Sequence, residues 1–200
     1  MNQFIQNLQV LNANELKIIN NHIDSLNFTP STVFGKDAAV RIDNKIRTST
    51  GTTLEENIAV TMLLHEKLNA AVWEYTQKLL KNKLVLNMYP LVGGHATTSH
   101  REGIQILEYT KEQQYNWHFD TCTNRDSYYY HRQISIVLYL KDDFVGGATK
   151  FAMLSKKFRP KAGRGLFFPS NWCFTHCSTP VESGKKRVAV TWYYCNCTSG

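Results

Sequence analysis

No apolar run in this sequence approaches the roughly 18–20 residues that a membrane helix needs. The start, MNQFIQNLQVLNANELKII, has no basic leader, compact apolar block or small-residue cleavage site. A secretory signal is therefore not expected, and a cytoplasmic location is predicted. Internal repeats and low-complexity tracts are absent as well. Cysteine is sparse and odd in number: Cys122, Cys173, Cys177, Cys195 and Cys197. An odd count without a signal argues for free thiols. No pair has the CxxC spacing of a zinc ribbon, which argues against structural zinc. The formal charge is +7, but no single block concentrates it. The cations are scattered over Lys78–Lys83, Lys156–Lys161 and Lys185–Arg187, the pattern of a solvated surface rather than a nucleic-acid stripe.

What is present suits a soluble domain. The 200 residues, 42% hydrophobic and 20% charged, favour one domain with a real core. The first third reads as helical. Asn14 is a candidate cap for a helix over Glu15–Leu26, with Leu16, Ile19 and Ile23 on one stripe. A second helix, from about Leu54 to Leu80, has no internal proline or glycine. Thr29–Thr53 between them reads as irregular, with at most one short strand at Ala39–Ile42.

After Lys83 the texture becomes short strands punctuated by turns. The expected strands are Leu84–Tyr89, Gly103–Tyr109, Trp117–Thr121, Gln133–Leu140, Thr149–Met153, Gly165–Phe168, His176–Val181 and Arg187–Tyr194. Helices followed by closely spaced strands indicate an α+β fold, an antiparallel sandwich or barrel with helices packed on it. The expected division is helical support over residues 1–83 and a strand core over 84–195, all in one domain with no linker.

One short stretch carries the chemistry. NWHFD puts His118 and Asp120 two apart, so in a strand both side chains project to the same face. Trp117 and Phe119 then point the other way, into apolar packing. An isolated HxD is a weak signal. Iron(II) sites that activate oxygen use two histidines and one carboxylate on one face of the metal, leaving the other face open. His176, 58 residues after His118, is placed to be the third ligand from a distant strand.

With these residues in view, the sequence strongly resembles the 2-oxoglutarate/Fe(II)-dependent oxygenases, and within them the prolyl 4-hydroxylase-like group. The resemblance covers roughly Leu84–Tyr194. It rests on GIQILEYTKEQQYNWHFD, RQISIVLYL followed by GGATKF, and PKAGRGLFFPS leading to HCSTPVESGKK. It implies a double-stranded β-helix (jelly roll) with the N-terminal helical layer packed on one sheet. It implies Fe(II), with 2-oxoglutarate and O₂ as co-substrates and ascorbate as a candidate reductant. His118, Asp120 and His176 match the family's iron ligands.

The residue that pairs with the distal carboxylate of 2-oxoglutarate is Lys185, Lys186 or Arg187. In the family it shares a strand face with a tryptophan six residues later. Counting back from Trp192 selects Lys186, with Val188 and Val190 on the same face and Arg187 as the alternative on the other. Tyr109, Tyr139 and Thr149 match residues lining the family's co-substrate pocket, and Trp192 either flanks the site and touches substrate or is a plain core tryptophan. Ala148 stands where this group usually carries an acid.

The implied reaction is hydroxylation of an unactivated C–H, with proline in a peptide or protein as the implied substrate. Tyr128, Tyr129 and Tyr130 lie in the segment that covers substrate in the family. They either stack on proline rings or begin the next strand, and both readings stay open. Hydroxylation of a free amino acid or of another residue type is the alternative, since it shares every metal and co-substrate motif. A nucleic-acid demethylase is disfavoured because VAVTWYYCNC has no arginine. A non-catalytic jelly-roll module has no need of Lys186.

Overall fold

The computed structural model describes residues 2–34, 40–83, 101–121 and 132–194. Among these residues the strands and α-helices run in the order Gln6–Gln9 (β1), Ala13–Ile23 (α1), Thr29–Pro30 (β2), Val33–Phe34 (β3), Val40–Arg41 (β4), Thr50–Thr53 (β5), Ala59–Lys81 (α2), Gln105–Tyr109 (β6), Tyr115–His118 (β7), Arg132–Tyr139 (β8), Val145–Gly146 (β9), Thr149–Phe151 (β10), Lys157–Phe158 (β11), Arg164–Pro169 (β12), His176–Ser178 (β13), Val181–Ser183 (β14) and Lys186–Tyr194 (β15). The large sheet has the order β1-β12-β8-β15-β6-β5-β2, and a four-stranded sheet the order β11-β10-β13-β7. The ladders between neighbours in both are antiparallel. Among the described residues no helix is long and apolar enough to cross a membrane.

The helices start where local hydrogen bonding allows. α1 is capped at Asn12, two residues before the expected Asn14. Asn12 Oδ1 accepts from Glu15 N at 3.0 Å, and Glu15 Oε2 accepts from Asn12 N at 2.8 Å. Only Asn12 has a glutamate three residues on, so only it completes the reciprocal pair. α2 starts at Ala59 rather than Leu54. Leu54 N instead donates to Ile104 O at 2.9 Å, prolonging the β5–β6 ladder.

Strand parity builds two cores. β15 is central in the large sheet and buried on both faces, as are its neighbours. Leu64, Leu68, Val72 and Tyr75 of α2 pack with Ile106, Leu138, Ala189 and Tyr193 on one face. Leu107, Tyr139, Val188 and Val190, the alternate residues of the same strands, pack with Phe151, Phe158 and Phe168 on the other. The helical layer thus covers one face of the large sheet, and the smaller sheet lies toward the other.

Three expectations are corrected. The N-terminal third is not merely helical: β1, β2 and β5 supply three of the seven large-sheet strands. These strands are short or polar, so they give little periodic signal. The strand expected over Trp117–Thr121 is Tyr115–His118. Trp117 and Phe119 are not core residues but are 50% and 41% exposed. Trp117 lies on β7, the edge strand of the four-stranded sheet among the described residues, with Phe119 just past its end, and both line the cavity described below instead of the core. The strand expected at Leu84–Tyr89 lies outside the described residues.

Candidate active site

The smaller sheet brings the two distant histidines together. β7 and β13 are neighbours, with His118 and His176 in register and ring centroids 4.3 Å apart. Asp120 follows just past the end of β7. Its Oδ1 is 3.6 Å from His118 Nε2, and its Oδ2 is 3.8 Å from His176 Nε2. One ligand atom from each residue falls within 4.8 Å of the others. These three residues could hold one metal ion.

The surrounding hydrogen bonds orient every donor. His118 Nδ1 lies 2.7 Å from Asn116 O, and His176 Nδ1 lies 3.0 Å from Phe174 O. A carbonyl only accepts, so each Nδ1 carries the proton and each Nε2 offers its lone pair. Asp120 Oδ2 accepts the Ser135 hydroxyl at 2.5 Å, and the Ser170 hydroxyl, 2.8 Å from Ser135 Oγ, donates to it in turn. The Asp120 amide donates to Ser170 O at 3.0 Å, and Arg132 donates to Asp120 O at 3.1 Å. Arg132 is itself held by both carboxylate oxygens of Glu102 and lies 3.6 Å over the Trp192 ring.

Electrostatics favours the ligand forms. Burial, and then the neighbouring His176, push the His118 imidazole down to about 3, so it is neutral at physiological pH. Burial opposes the Asp120 charge, but His176, His118, the Ser135 hydroxyl and Arg132 outweigh it and hold the carboxyl below its ordinary range.

A cavity of about 640 Å³ opens over this cluster, large enough for a small ligand. Lys186 lies along its wall, only 2% exposed. Its Nζ donates to Gly147 O at 2.8 Å and Ser178 Oγ at 2.7 Å. The Tyr109 ring centroid is 5.0 Å away, and that of Tyr139 is 5.8 Å away. Among the described residues no carboxylate reaches Lys186. Gly147 sits at φ +60, and a Cβ there would meet Lys186 Cδ at 3.0 Å, so glycine is what lets this carbonyl face the amine. Tyr139 OH is 2.7 Å from Thr149 Oγ1, and burial raises the phenol so that it stays protonated. Arg187 lies on the opposite face, bound to Glu108, to Asp24 and to Asn20.

The cavity therefore gathers His118, Asp120, His176, Tyr109, Thr149, Lys186 and Trp192. Tyr128, Tyr129 and Tyr130 lie outside the described residues. Sequence reasoning missed several neighbours. Tyr115 stacks on His118 at 3.5 Å with an 11° interplanar angle, and the Arg47 guanidinium lies 4.8 Å over the Tyr115 ring. Ser135 was visible as the one small polar residue inside the apolar run ISIVLYL, and Ser178 as the residue two beyond His176. Arg47 sits in a stretch that reads as irregular and carries no such signal.

Residues 104–194 match the 2OG-Fe(II) oxygenase superfamily. This segment contains the whole His-Asp-His cluster and Lys186. The chain is 34% identical over 107 residues to a putative prolyl 4-hydroxylase of Acanthamoeba polyphaga mimivirus, a match covering 46% of this chain and 44% of that protein. The chain spans less than half the length of the curated relatives it matches.

The likeness in fold extends further than the likeness in sequence. A viral collagen prolyl hydroxylase from Paramecium Bursaria Chlorella virus-1, solved with 2OG, aligns over 94% of both chains with a TM-score of 0.64 at 21% identity. A Trichoplax adhaerens prolyl hydroxylase, solved with a hypoxia inducible factor peptide fragment, aligns over 96% of this chain and 84% of that one, with a TM-score of 0.68 at 16% identity.

The superfamily implies Fe(II), 2-oxoglutarate and O₂. The residues of the matched segment fit that set. Two imidazoles and one carboxylate are the donors an iron(II) oxygenase uses, and a buried ammonium that no carboxylate reaches among the described residues suits a carboxylate-bearing co-substrate.

Proposed function

We propose that this chain is a Fe(II)- and 2-oxoglutarate-dependent dioxygenase that hydroxylates a proline in a peptide or protein. The observation that carries the reading is Lys186: a buried cation with no carboxylate partner among the described residues, in the same cavity as a His-Asp-His cluster. A structural module would gain nothing from desolvating an amine there. The choice of proline leans on the likeness to the mimiviral relative and to the peptide-bound Trichoplax enzyme.

In this reading His118, Asp120 and His176 hold the iron, and Lys186, Tyr109, Tyr139 and Thr149 surround 2-oxoglutarate. Iron and 2-oxoglutarate together supply the oxidising chemistry, with succinate and CO₂ as by-products. The chain's own part is to orient and to exclude water. The backbone carbonyls of Asn116 and Phe174 fix the imidazole tautomers, and Ser135 fixes the carboxylate. Trp192, with Arg132 stacked on it, forms the wall nearest the substrate. In this reading the two sheets fold as a double-stranded β-helix within one domain, with α1 and α2 as its support and β1, β2 and β5 joining its larger sheet.

The test is mass spectrometry after incubation with Fe(II) and 2-oxoglutarate. Proline-rich peptides, free amino acids and methylated oligonucleotides are offered side by side. Gain of one oxygen on a peptidyl proline is the expected result. Oxidation of a free amino acid, or loss of a methyl group from an oligonucleotide, with peptides untouched, overturns the choice of substrate.

A further inference from the structure

We propose that Ser178 is a co-substrate-selecting residue, whose hydroxyl joins Lys186 in binding the distal carboxylate of 2-oxoglutarate. The inference rests on the reading of this cavity as a 2-oxoglutarate site. It concerns a residue that neither the metal cluster nor the co-substrate set accounts for.

Ser178 is two residues after His176 on β13, so both side chains project from one face of the strand. Across the ladder Ser178 stands opposite Thr149, whose hydroxyl bonds to Tyr139. Ser178 and Thr149 both line the cavity, as does Lys186. The hydroxyl is therefore presented beside the anchor rather than to solvent.

Counting donors gives the chemistry. A lysine ammonium has three N–H bonds. One is given to Gly147 O and one to Ser178 Oγ, leaving one for a ligand. Ser178 Oγ accepts from Lys186, so its own proton must point elsewhere. Its contact with Thr179 O is 3.4 Å, at the far limit of hydrogen bonding. A carboxylate that takes the last N–H of Lys186 can take this hydroxyl proton as well. The two donors then grip one carboxylate, and the lysine orients the hydroxyl for it. A 2-oxo acid without a second carboxylate has nothing to place there.

The experiment is isothermal calorimetry on the full chain, with Mn(II) in place of Fe(II) so that no turnover intervenes. Wild type, Ser178→Ala, Ser178→Thr and Lys186→Ala are titrated with 2-oxoglutarate and with pyruvate, and each is titrated separately with Mn(II). Ser178→Ala should weaken 2-oxoglutarate binding roughly tenfold, the loss expected for one hydrogen bond to a charged group. Pyruvate and Mn(II) affinities should stay at wild-type values, and Ser178→Thr, which keeps the hydroxyl, should restore 2-oxoglutarate binding. Wild-type 2-oxoglutarate affinity in Ser178→Ala, with weakened binding in Lys186→Ala, overturns the role of Ser178 and leaves the co-substrate site standing. Equal losses for 2-oxoglutarate and pyruvate in Ser178→Ala reduce it to a packing residue. Wild-type affinity in Lys186→Ala overturns the co-substrate site itself.

Discussion

Lys186 and Arg187 are neighbours in sequence and lie on opposite faces of one strand. Lys186 shares its face with Val188 and Val190 and looks into the cavity. Arg187 shares its face with Ala189 and ties β15 to Glu108 of β6 and to Asp24 beyond α1. The two cations are alike in charge and differ in every partner.

Substitution should separate them cleanly. Lys186→Ala is expected to raise the 2-oxoglutarate requirement with little loss of stability. Arg187→Ala should leave Glu108 buried with only Lys185, 3.2 Å away, to compensate, and should cost about 3 kcal/mol. Steady-state kinetics and urea unfolding on both variants check this. A larger co-substrate defect in Arg187→Ala would reverse the assignment.

Removing a metal-site donor should abolish turnover rather than tune it. His118→Ala and Asp120→Ala are each expected to lose Fe(II)- and 2-oxoglutarate-dependent succinate formation, as should wild type treated with a chelator. Succinate release measured at wild-type rates in either variant would sink the iron assignment.

Ser135 offers a subtler probe. Its hydroxyl donates to Asp120 Oδ2 and receives Ser170. Loss of a partner of this kind typically weakens metal affinity by roughly 10–100-fold. Ser135→Ala should therefore show a weaker Mn(II) dissociation constant at near-normal stability. An unchanged constant would mean that the Ser170 and Arg132 contacts to the Asp120 backbone suffice to hold the carboxylate.

The pH dependence follows from Lys186. Burial pushes its ammonium down to about 7 from an ordinary 10.5. A carboxylate binds the charged form, so 2-oxoglutarate affinity should be greatest below pH 7. Above it, affinity should fall by about tenfold per pH unit until the pKa of the complex is reached. Stability of the ligand-free chain should run the other way. Between about 7 and 10.5 the unfolded lysine holds a proton that the folded one has released. This group's contribution to unfolding free energy therefore rises with pH across that window. Calorimetric titrations and urea midpoints from pH 6 to 10, compared with Lys186→Met, read both slopes. A flat 2-oxoglutarate profile would contradict the amine's role.

Much of the site was legible because its residues come in fixed local patterns. His118 and Asp120 are two apart, the motifs around His176 follow in order, and Trp192 sets the parity that marks Lys186. The second helix and the long central strands were equally legible, since their apolar periodicity spans many residues. The polar strands β2 and β5 were not, because four residues such as TGTT have no face to bury by themselves. The exposure of Trp117 and Phe119 was not legible either, because parity says which residues share a side but not whether anything covers that side.

By itself, the sequence determined the donor types, their spacing along each strand and the two-faced burial of the strands that carry them, because a period of two follows from backbone geometry alone. Only the tertiary structure decided what meets across strands. It set Ser135 on Asp120, Tyr115 on His118, Ser178 beside Lys186, and Arg187 against Glu108 and Asp24. Those contacts join residues far apart in the chain, and their distances depend on how the two sheets and the helical layer pack rather than on any local pattern.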